Sequence, residues 1–299
     1  MKIKSCASIE EGVRACFGEN VSITGRSYVG GGDINDSFYL SLSNGKRVFV
    51  KSNSSDKAGY FDSEEQGLEA IASVGVIGTP KLLCKGTDQK QARSFLMMEM
   101  IESSGRIRDF WEVFGRELAM LHLADAGNYV PEGRFGFYAD NYIGAGVQKN
   151  TPGNTWVDFF RECRLEPQIK RAEGYFDKAL LREISRLLDR LDSLMPEPVQ
   201  PSLLHGDLWS GNFITGEDGK AWLIDPAAYV GHAEADLAMT ELFGRFNDTF
   251  YRAYETVFPL QDGYRDRRDL YNLYHLLNHL NLFGRSYLSS VLDIVHRYA

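Results

Sequence analysis

A loop and a hairpin that carry two carboxylates and an amide at fixed spacing constrain the fold of this chain more than any other feature. Residues 203–227 read LLHGDLWSGNFITGEDGKAWLIDPA, and they interrupt a stretch whose pattern is otherwise helical. Asp207 and Asn212 stand five positions apart in the loop. Two short apolar runs joined by the turn-rich residues 215–220 then predict a β-hairpin that ends at Asp225. The fold must therefore bring the loop and the hairpin end together.

The first hundred residues carry mainly a strand pattern, in which polar and apolar residues roughly alternate or form short apolar runs. We predict strands at residues 21–29, 36–42, 46–51, 81–84 and 95–100. Asn44 and Gly45 supply the residues that a tight hairpin turn favours. One helix is predicted at residues 61–75, where apolar residues recur at helical spacing, and either Asp62 or Ser63 is expected to cap its first turn.

Helical patterns dominate from residue 101 onward. Segments with an apolar stripe at a spacing of three or four residues lie at 109–125, 155–173, 176–192, 235–246 and 269–288. The sequence thus predicts an α+β protein of two lobes. Residues 1–100 would form a small β-rich lobe, and residues 101–299 a larger and mainly helical one.

Charge and cysteine usage exclude several classes of protein. The formal net charge is -8, and no run of Lys or Arg makes the basic stripe that binding to nucleic acid requires. The cysteines are far apart and too few to staple a chain of 299 residues, which predicts reduced thiols at Cys6, Cys16, Cys84 and Cys163. The first residues turn acidic where a signal peptide would be apolar, and no window suits a membrane span. We expect a cytoplasmic protein without a membrane partner.

The loop resembles the catalytic loop H-R-D-L-x-x-x-N of protein kinases, which it matches at His205, Asp207, Leu208 and Asn212. An isolated H-G-D triplet is more often a turn in which Asp caps its own backbone, but turn chemistry does not require the whole spaced set. A carboxylate can take the proton of an acceptor hydroxyl, so Asp207 is the predicted catalytic base. Asn212 and Asp225 supply oxygens suited to magnesium. His205 is predicted to shape the loop through a hydrogen bond.

A glycine-rich stretch between two predicted strands could place backbone N–H groups near phosphate oxygens. Its candidate residues are Gly30, Gly31, Gly32 and Asn35. The alternative is a flexible turn, since the stretch is not G-x-G-x-x-G. Lys51 ends a strand as the lysine of the kinase motif V-A-I-K does, and Glu64 on the next helix is its predicted partner. Glu64 is favoured over Glu65 because it shares a helical face with Leu68. A surface ion pair is the alternative.

An apolar run leads into the predicted lobe boundary, where a nucleotide base would lie. The candidate adenine contacts are Met98, Glu99, Met100 and Ile101. Exposed backbone at Glu99 and Ile101 is expected to bond the adenine edge, and Met98 is expected to line the pocket. A core methionine without ligand contact is nearly as well supported for Met98.

Beyond these elements, the chain resembles the fructosamine kinase (ketosamine 3-kinase) family over nearly its whole length. The resemblance rests on GGDIN at 31–35, FDSEEQGL at 61–68, ELAMLH at 117–122, FGFYADNYIGAGVQKN at 135–150, HGDLWSGN at 205–212 and DPAAYVGHAEADLAMTELFG at 225–244. Residues 135–150 and 225–244 resemble these kinases alone and not kinases in general. One departure is visible, since Ala233 stands where the family usually has Arg.

The resemblance implies a protein-kinase-like fold and an ATP- and Mg²⁺-dependent kinase that phosphorylates the C3 hydroxyl of a ketosamine, a sugar–amine adduct, and so leads to deglycation. The implied substrate contacts are polar or aromatic residues near the base: Asp140, Asn141, Trp209, His232, Glu234 and Asp236. Asp236 could instead cap a helix, and Trp209 could be core packing. The absence of an Arg at Ala233 would favour shorter sugars, such as ribulose or erythrulose adducts.

Two alternatives stay open at this point. A kinase acting on an aminoglycoside or a choline-like amino alcohol would use the same Asp207 chemistry with a different acceptor pocket. A pseudokinase would bind nucleotide without transferring phosphate. The intact set of Lys51, Asp207, Asn212 and Asp225 argues against the pseudokinase, because a binding module needs no base.

Overall fold

A mixed six-stranded sheet opens the chain in the computed structural model, which describes residues 3–30, 35–130 and 134–299. The strands are β1 (Lys4–Cys6), β2 (Ile23–Tyr28), β3 (Asp36–Leu42), β4 (Arg47–Ser54), β5 (Leu82–Asp88) and β6 (Arg93–Glu99). Their spatial order is β1-β5-β6-β4-β3-β2, with β1 parallel to β5 and the other neighbours antiparallel. Gly31 and Gly32 of the predicted phosphate loop lie outside the described residues.

Two helices cover the faces of this sheet. The first, α1 (Ile9–Phe17), packs Val13 onto the face that carries Val50 and Phe95. The second, α2 (Ala58–Val74), packs Phe61 onto the opposite face against Leu96 and Met98. Lys51 and Leu96 are cross-strand partners and therefore lie on the face that α2 covers.

The predicted cap of α2 is wrong. The helix begins at Ala58 after a 3₁₀ turn, so Asp62 and Ser63 lie in its second turn. There Ser63 donates to the Gly59 carbonyl, and Asp62 pairs with Lys85 instead of capping the helix. Because the strand runs directly into a 3₁₀ turn, no loop residue precedes α2 from which the sequence could predict its N-terminal cap.

The rest of the chain is mainly helical. Its helices are α3 (Phe110–Leu123), α4 (Trp156–Phe160), α5 (Glu166–Arg171), α6 (Lys178–Leu194), α7 (Glu234–Leu242), α8 (Asp248–Val257), α9 (Tyr264–Phe283) and α10 (Leu288–Tyr298). A π-helical turn, Arg161–Leu165, joins α4 to α5. In the described ranges, no helix combines the length and the apolar character that crossing a bilayer requires.

Three small antiparallel ladders are set among these helices. They pair β7 (Asn141–Ile143) with β8 (Gly146–Gln148), β9 (Pro201–Leu204) with β12 (Tyr229–His232), and β10 (Phe213–Thr215) with β11 (Ala221–Leu223). The β10–β11 pair is the hairpin predicted from the sequence. Since β9 leads into the predicted catalytic loop and β11 ends two residues before Asp225, these ladders position the candidate site.

The β10–β11 hairpin is fastened to two other parts of the chain. The N–H of Leu223 donates to the carbonyl of Gly78, which lies between α2 and β5 (2.8 Å). A Cβ at Gly78 would lie 2.6 Å from the Trp222 ring, so this close approach requires glycine. On the other side, Ser104 donates to Gly216 (2.6 Å) and Ile107 to Gly219 (3.1 Å). The hairpin thus contacts both the sheet region and the segment that leads out of it.

Candidate active site

A cleft of about 670 Å³ lies between the sheet and the helical region. The sequence candidates that line it are Asn35, Lys51, Glu64, Asp207, Trp209, Asn212 and Asp225. Residues separated by more than 150 positions in the chain therefore meet in one cavity, from both halves of the molecule. A cleft with several convergent charged groups is the usual form of an active site.

Within the loop between β9 and β10, the amide of Asn212 is bonded to the candidate base. Its Nδ2 donates to the backbone oxygen (2.7 Å) and to Oδ2 (3.0 Å) of Asp207. Both donors of the amide are thereby used, and Oδ1 of Asn212 is left as an acceptor in the cleft. Burial, together with the charges of Asp225 and Asp236, raises the pKa of Asp207 to about 7, although the Asn212 hydrogen bond opposes this. A carboxylate with such a pKa is a stronger proton acceptor than an ordinary aspartate.

The ring of His205 supports the loop through two hydrogen bonds. Its Nδ1 accepts from the N–H of Asp207 (3.3 Å), and its Nε2 donates to the carbonyl of Ile224 (2.9 Å). This pattern requires the neutral ring. Burial lowers the pKa of His205, which agrees with a neutral ring. His205 therefore ties the Asp207 loop to the strand that precedes Asp225.

Asp236 holds the backbone of the same loop. Its carboxylate accepts from the N–H of His205 (2.7 Å), the N–H of Gly206 (2.8 Å) and Nε2 of His122 (3.2 Å). Although burial works in the opposite direction, the His122 hydrogen bond and charge help to lower the pKa of Asp236. Gly206 has φ 83°, and a side chain there would collide with the Ala227 carbonyl, so the turn beneath Asp207 requires glycine.

Replacing Asp236 with Ala is expected to loosen the Asp207 loop. Two buried N–H groups and His122 would lose their acceptor, at about 1–3 kcal/mol each. We expect a lower Tm and a kcat reduced at least tenfold, with Asp236→Asn less severe on both because it keeps one oxygen. Thermal unfolding and steady-state kinetics would measure this, and a wild-type kcat in Asp236→Ala would contradict it.

Asp225 follows the hairpin in a conformation that few non-glycine residues adopt. Its φ is 55°, and the preceding Ile224 donates to the Asn212 carbonyl (3.0 Å). Left-handed backbone at a non-glycine residue costs about 1–3 kcal/mol and is found preferentially at active sites. Pro226 packs against Gly67 of α2, which fixes the segment after Asp225 against the helix that carries Glu64.

Lys51 links the sheet to this segment. Its Nζ lies 2.6 Å from Oε1 of Glu64 and also pairs with Asp225. Although burial works in the opposite direction, the Asp225 and Glu64 carboxylates raise the pKa of Lys51 above its ordinary value. Glu65 instead pairs with Lys85 at 2.5 Å. The ammonium of Lys51 is thus buried, charged and directed into the cleft, where a phosphate could take the place of a carboxylate.

The donors at this point fit magnesium. In the part of the chain that the structure describes, no three His, Cys, Asp or Glu side chains cluster as a metal site. The oriented Oδ1 of Asn212 and the Asp225 carboxylate remain as hard oxygen ligands. Mg²⁺ is commonly held by one or two such groups, with water and substrate phosphates completing its coordination. This set therefore suits a nucleotide-bound Mg²⁺ better than a permanently resident metal.

Most of the predicted substrate contacts lie outside the lining of the cleft. Asp140, Asn141, His232, Glu234 and Asp236 do not line the cleft, whereas Trp209 does. Asn141 donates to the Ala228 carbonyl (2.7 Å), and Asp140 accepts from the N–H of Asn150 (2.8 Å). These bonds brace the β7–β8 ladder and its contact with the segment after Asp225.

The residues around Ala233 are equally internal. His232 is hydrogen bonded to the Tyr271 hydroxyl (2.7 Å), and Glu234 forms two bonds to Arg267 (2.5 and 2.6 Å). Ala233 itself is 2 % exposed. The preference for shorter sugars that was expected from Ala233 therefore has no support in the cleft.

The predicted adenine contacts are altered in one respect. The N–H of Glu99 donates to the Lys81 carbonyl (2.9 Å), so it is not available to an adenine edge. Met98 is buried beside Phe61 and Leu96. Neither residue lines the cleft, nor do Met100 and Ile101, whose contact with a base stays a prediction.

Several cleft residues were not predicted from the sequence. They are Ser37, Tyr60, Ser63, Tyr142, Ile143, Gly144, Pro226, Ala227, Phe243, Asn278, His279, Leu282, Phe283, Ser286 and Tyr287. Tyr60 of α2 and Tyr142 of β7 pack with ring centroids 4.2 Å apart and close one side of the cleft. A second group of lining residues belongs to α9 and the turn after it. In the sequence these aromatic residues continue an ordinary apolar stripe, so no local signal marks them.

The chain is similar to known proteins over nearly its whole length. The family model described as fructosamine kinase matches residues 5–299. A chloroplastic protein-ribulosamine 3-kinase of Arabidopsis thaliana is 40% identical over 94% of this chain and 84% of its own length. A protein of Synechocystis sp. named "Probable ketoamine kinase" is 38% identical over 94% of this chain and 92% of its own length.

Solved structures show the same fold. A crystal structure of a protein from Thermobifida fusca, provisionally named a fructosamine-3-kinase, is 33% identical, has a TM-score of 0.83 and matches 98% of this chain and 99% of its own. An aminoglycoside phosphotransferase in complex with AMP-PNP and hygromycin B is 17% identical, with a TM-score of 0.64 over 97% of this chain and 96% of its own. That likeness shows the kinase-like fold alone.

Proposed function

Because the chain belongs to the fructosamine kinase family, we propose that it transfers the γ-phosphoryl group of ATP to the C3 hydroxyl of a ketosamine. The observation that carries the proposal is the convergence of Lys51, Glu64, Asp207, Asn212 and Asp225 on one cleft. The Lys–Glu pair, the loop carboxylate with its bonded amide, and the second carboxylate are the groups that kinases use.

In the proposed reaction, the sugar hydroxyl oxygen forms a bond to the γ-phosphorus, and the bond from that phosphorus to the β–γ bridging oxygen breaks. Asp207 accepts the hydroxyl proton, and ADP leaves. Lys51 orients the phosphates. Magnesium held by Asn212 and Asp225 would supply positive charge to the phosphate oxygens. The phosphorylated adduct then breaks down, which frees the amine.

We also propose finer features of this activity. The Arabidopsis relative is named for a protein-bound ribulosamine, which supports a ketosamine on a protein amine as the substrate. The lobe boundary is proposed at residue 100, next to the end of β6 at Glu99. The four cysteines are free thiols, which supports a reducing compartment such as the cytoplasm.

A substrate comparison tests the proposal. We expect kcat/KM for a ketosamine of lysine to exceed that for the free sugar, kanamycin or choline by about a hundredfold or more, because binding of the amine half can orient the reacting hydroxyl. Steady-state ADP release with each acceptor would measure this. A highest kcat/KM for kanamycin or choline would overturn the ketosamine assignment and leave only the kinase chemistry.

A further inference from the structure

One wall of the cleft is an uninterrupted group of aromatic rings, here called the aromatic shelf: Phe243, His279, Phe283 and Tyr287. The His279 ring centroid lies 4.7 Å from that of Phe243, 5.4 Å from Phe283 and 5.0 Å from Tyr287. Phe283 is 50% exposed at the outer end. Large apolar rings left open beside a reaction site mark a surface for an apolar part of a ligand.

Beside the shelf, Asn278 offers the donor end of an amide to the cleft. Asn278 is 2% exposed and lines the cleft. Its Oδ1 accepts from Nε2 of Gln168 (3.2 Å), and Gln168 in turn accepts from Nδ2 of Asn281 (2.8 Å). These bonds determine which end of each side-chain amide is the oxygen and which is the nitrogen. Because Oδ1 of Asn278 is engaged by Gln168, the Nδ2 group is the end of the amide that can donate to a ligand in the cleft.

His279 offers the complementary acceptor. Its Nδ1 donates to the carbonyl of His275 one helical turn earlier (2.8 Å). In a neutral ring this leaves Nε2 with a lone pair. Burial lowers the pKa of His279, so the ring stays neutral near pH 7. A neutral imidazole nitrogen in an aromatic surround can accept a hydrogen bond from an ammonium group, and the neighbouring rings attract the same cation.

From these features, and resting on the proposed function, we infer that the aromatic shelf is the subsite for the amine half of the substrate and that Asn278 beside it binds the sugar half. Nε2 of His279 accepts from the secondary ammonium, the rings of Phe283 and Tyr287 cover the alkyl chain, and Asn278 donates to a sugar oxygen. The substrate class is a ketosamine on a long alkylamine, such as a lysine side chain, which leaves the cleft past the exposed Phe283. A free sugar has neither the ammonium group nor the alkyl chain that the aromatic shelf would bind.

The contribution of this subsite is measured by comparing two ketosamines of the same sugar. One carries the sugar on the ε-amine of lysine, and the other carries it on methylamine. Phe283→Ala is expected to raise KM about five- to tenfold for the lysine adduct, because each buried CH₂ contributes to binding. KM for the methylamine adduct and for ATP should stay within about twofold. Leu123→Ala, which truncates another exposed apolar side chain at the end of α3, serves as the control and should change none of these values.

Asn278→Ala is expected to lower kcat/KM for both adducts by about ten- to a hundredfold, since both carry the sugar, with KM for ATP unchanged. Phe283 is half exposed, so its truncation should not impair folding and remains informative if Asn278→Ala fails to fold. Equal effects of Phe283→Ala on the two adducts, or none, would overturn the inference. If the wild type phosphorylated neither adduct, the proposed function itself would fail.

Discussion

Asp207→Asn is expected to lower kcat by two to four orders of magnitude, while Kd for ATP stays within about twofold. Asp207 lies in the cleft with its carboxylate bonded to Nδ2 of Asn212, and its raised pKa makes it the strongest proton acceptor in the loop. Asn has nearly the same shape, so the loop should keep its hydrogen bonds to Asp236. Single-turnover kinetics with a ketosamine, together with calorimetric ATP binding, would separate the chemical step from binding.

The matched control for this variant is Asp189→Asn. Asp189 is an exposed aspartate on α6, and its substitution should leave kcat unchanged. If Asp207→Asn kept more than about a tenth of the wild-type kcat, the proton would be leaving by another route and the assignment of Asp207 as base would be wrong.

Asp225→Ala is expected to lower kcat/KM by about a hundredfold or more at fixed magnesium and to raise the magnesium concentration needed for half-maximal activity. Removing groups that only support a metal ligand costs about ten- to a hundredfold in affinity or activity, and loss of a ligand should cost at least as much. Asn212→Ala should act in the same direction. Calorimetric titration of ATP with and without magnesium would report the effect independently of turnover.

The expected signature is that magnesium tightens ATP binding in the wild type and much less in either variant. Asp293→Ala, which removes an exposed carboxylate from α10, should behave as the wild type. An unchanged magnesium dependence in both Asp225→Ala and Asn212→Ala would place the metal elsewhere. A loss of ATP binding without magnesium would instead indicate that the Lys51 contact is the main function of Asp225.

The resemblance of several stretches of the sequence predicted the family and its kinase-like fold, and both are confirmed by the family match and the solved structures. The hairpin was visible because two apolar runs flank a turn-rich connector, and its observed bounds agree closely. By contrast, α1 was missed, although Ser8 of the sequence S-x-x-E caps it by accepting from the N–H of Glu11, whose carboxylate accepts from the N–H of Ala7. Helix α1 has nine residues and follows a strand of three, and so short a helix cannot be recognised from helical periodicity alone.

The substrate side of the cleft could not be read from the sequence, because proximity in the chain does not say which way a side chain faces. Asp236 and Asn141 have the polarity of substrate ligands, but tertiary packing turns them toward backbone groups that they support. Phe243 and Phe283 have the pattern of core residues, but their helices end at the cleft. Only the packing of α9 against α7, where the His279 ring meets the Phe243 ring, separates these cases.

The fastening of the β10–β11 hairpin to Gly78 and to residues 104–107 also bears on how the cleft opens to release product. A body attached at two points turns most easily about the line through them, so the hairpin is expected to act as a pivot. Asp225 and Asn212 lie next to the hairpin strands in the chain and would travel little, whereas Tyr60, which packs against Tyr142 at the cleft, would move away from it. Products could then escape through the rim between turnovers while the two oxygen ligands keep their spacing for the next nucleotide.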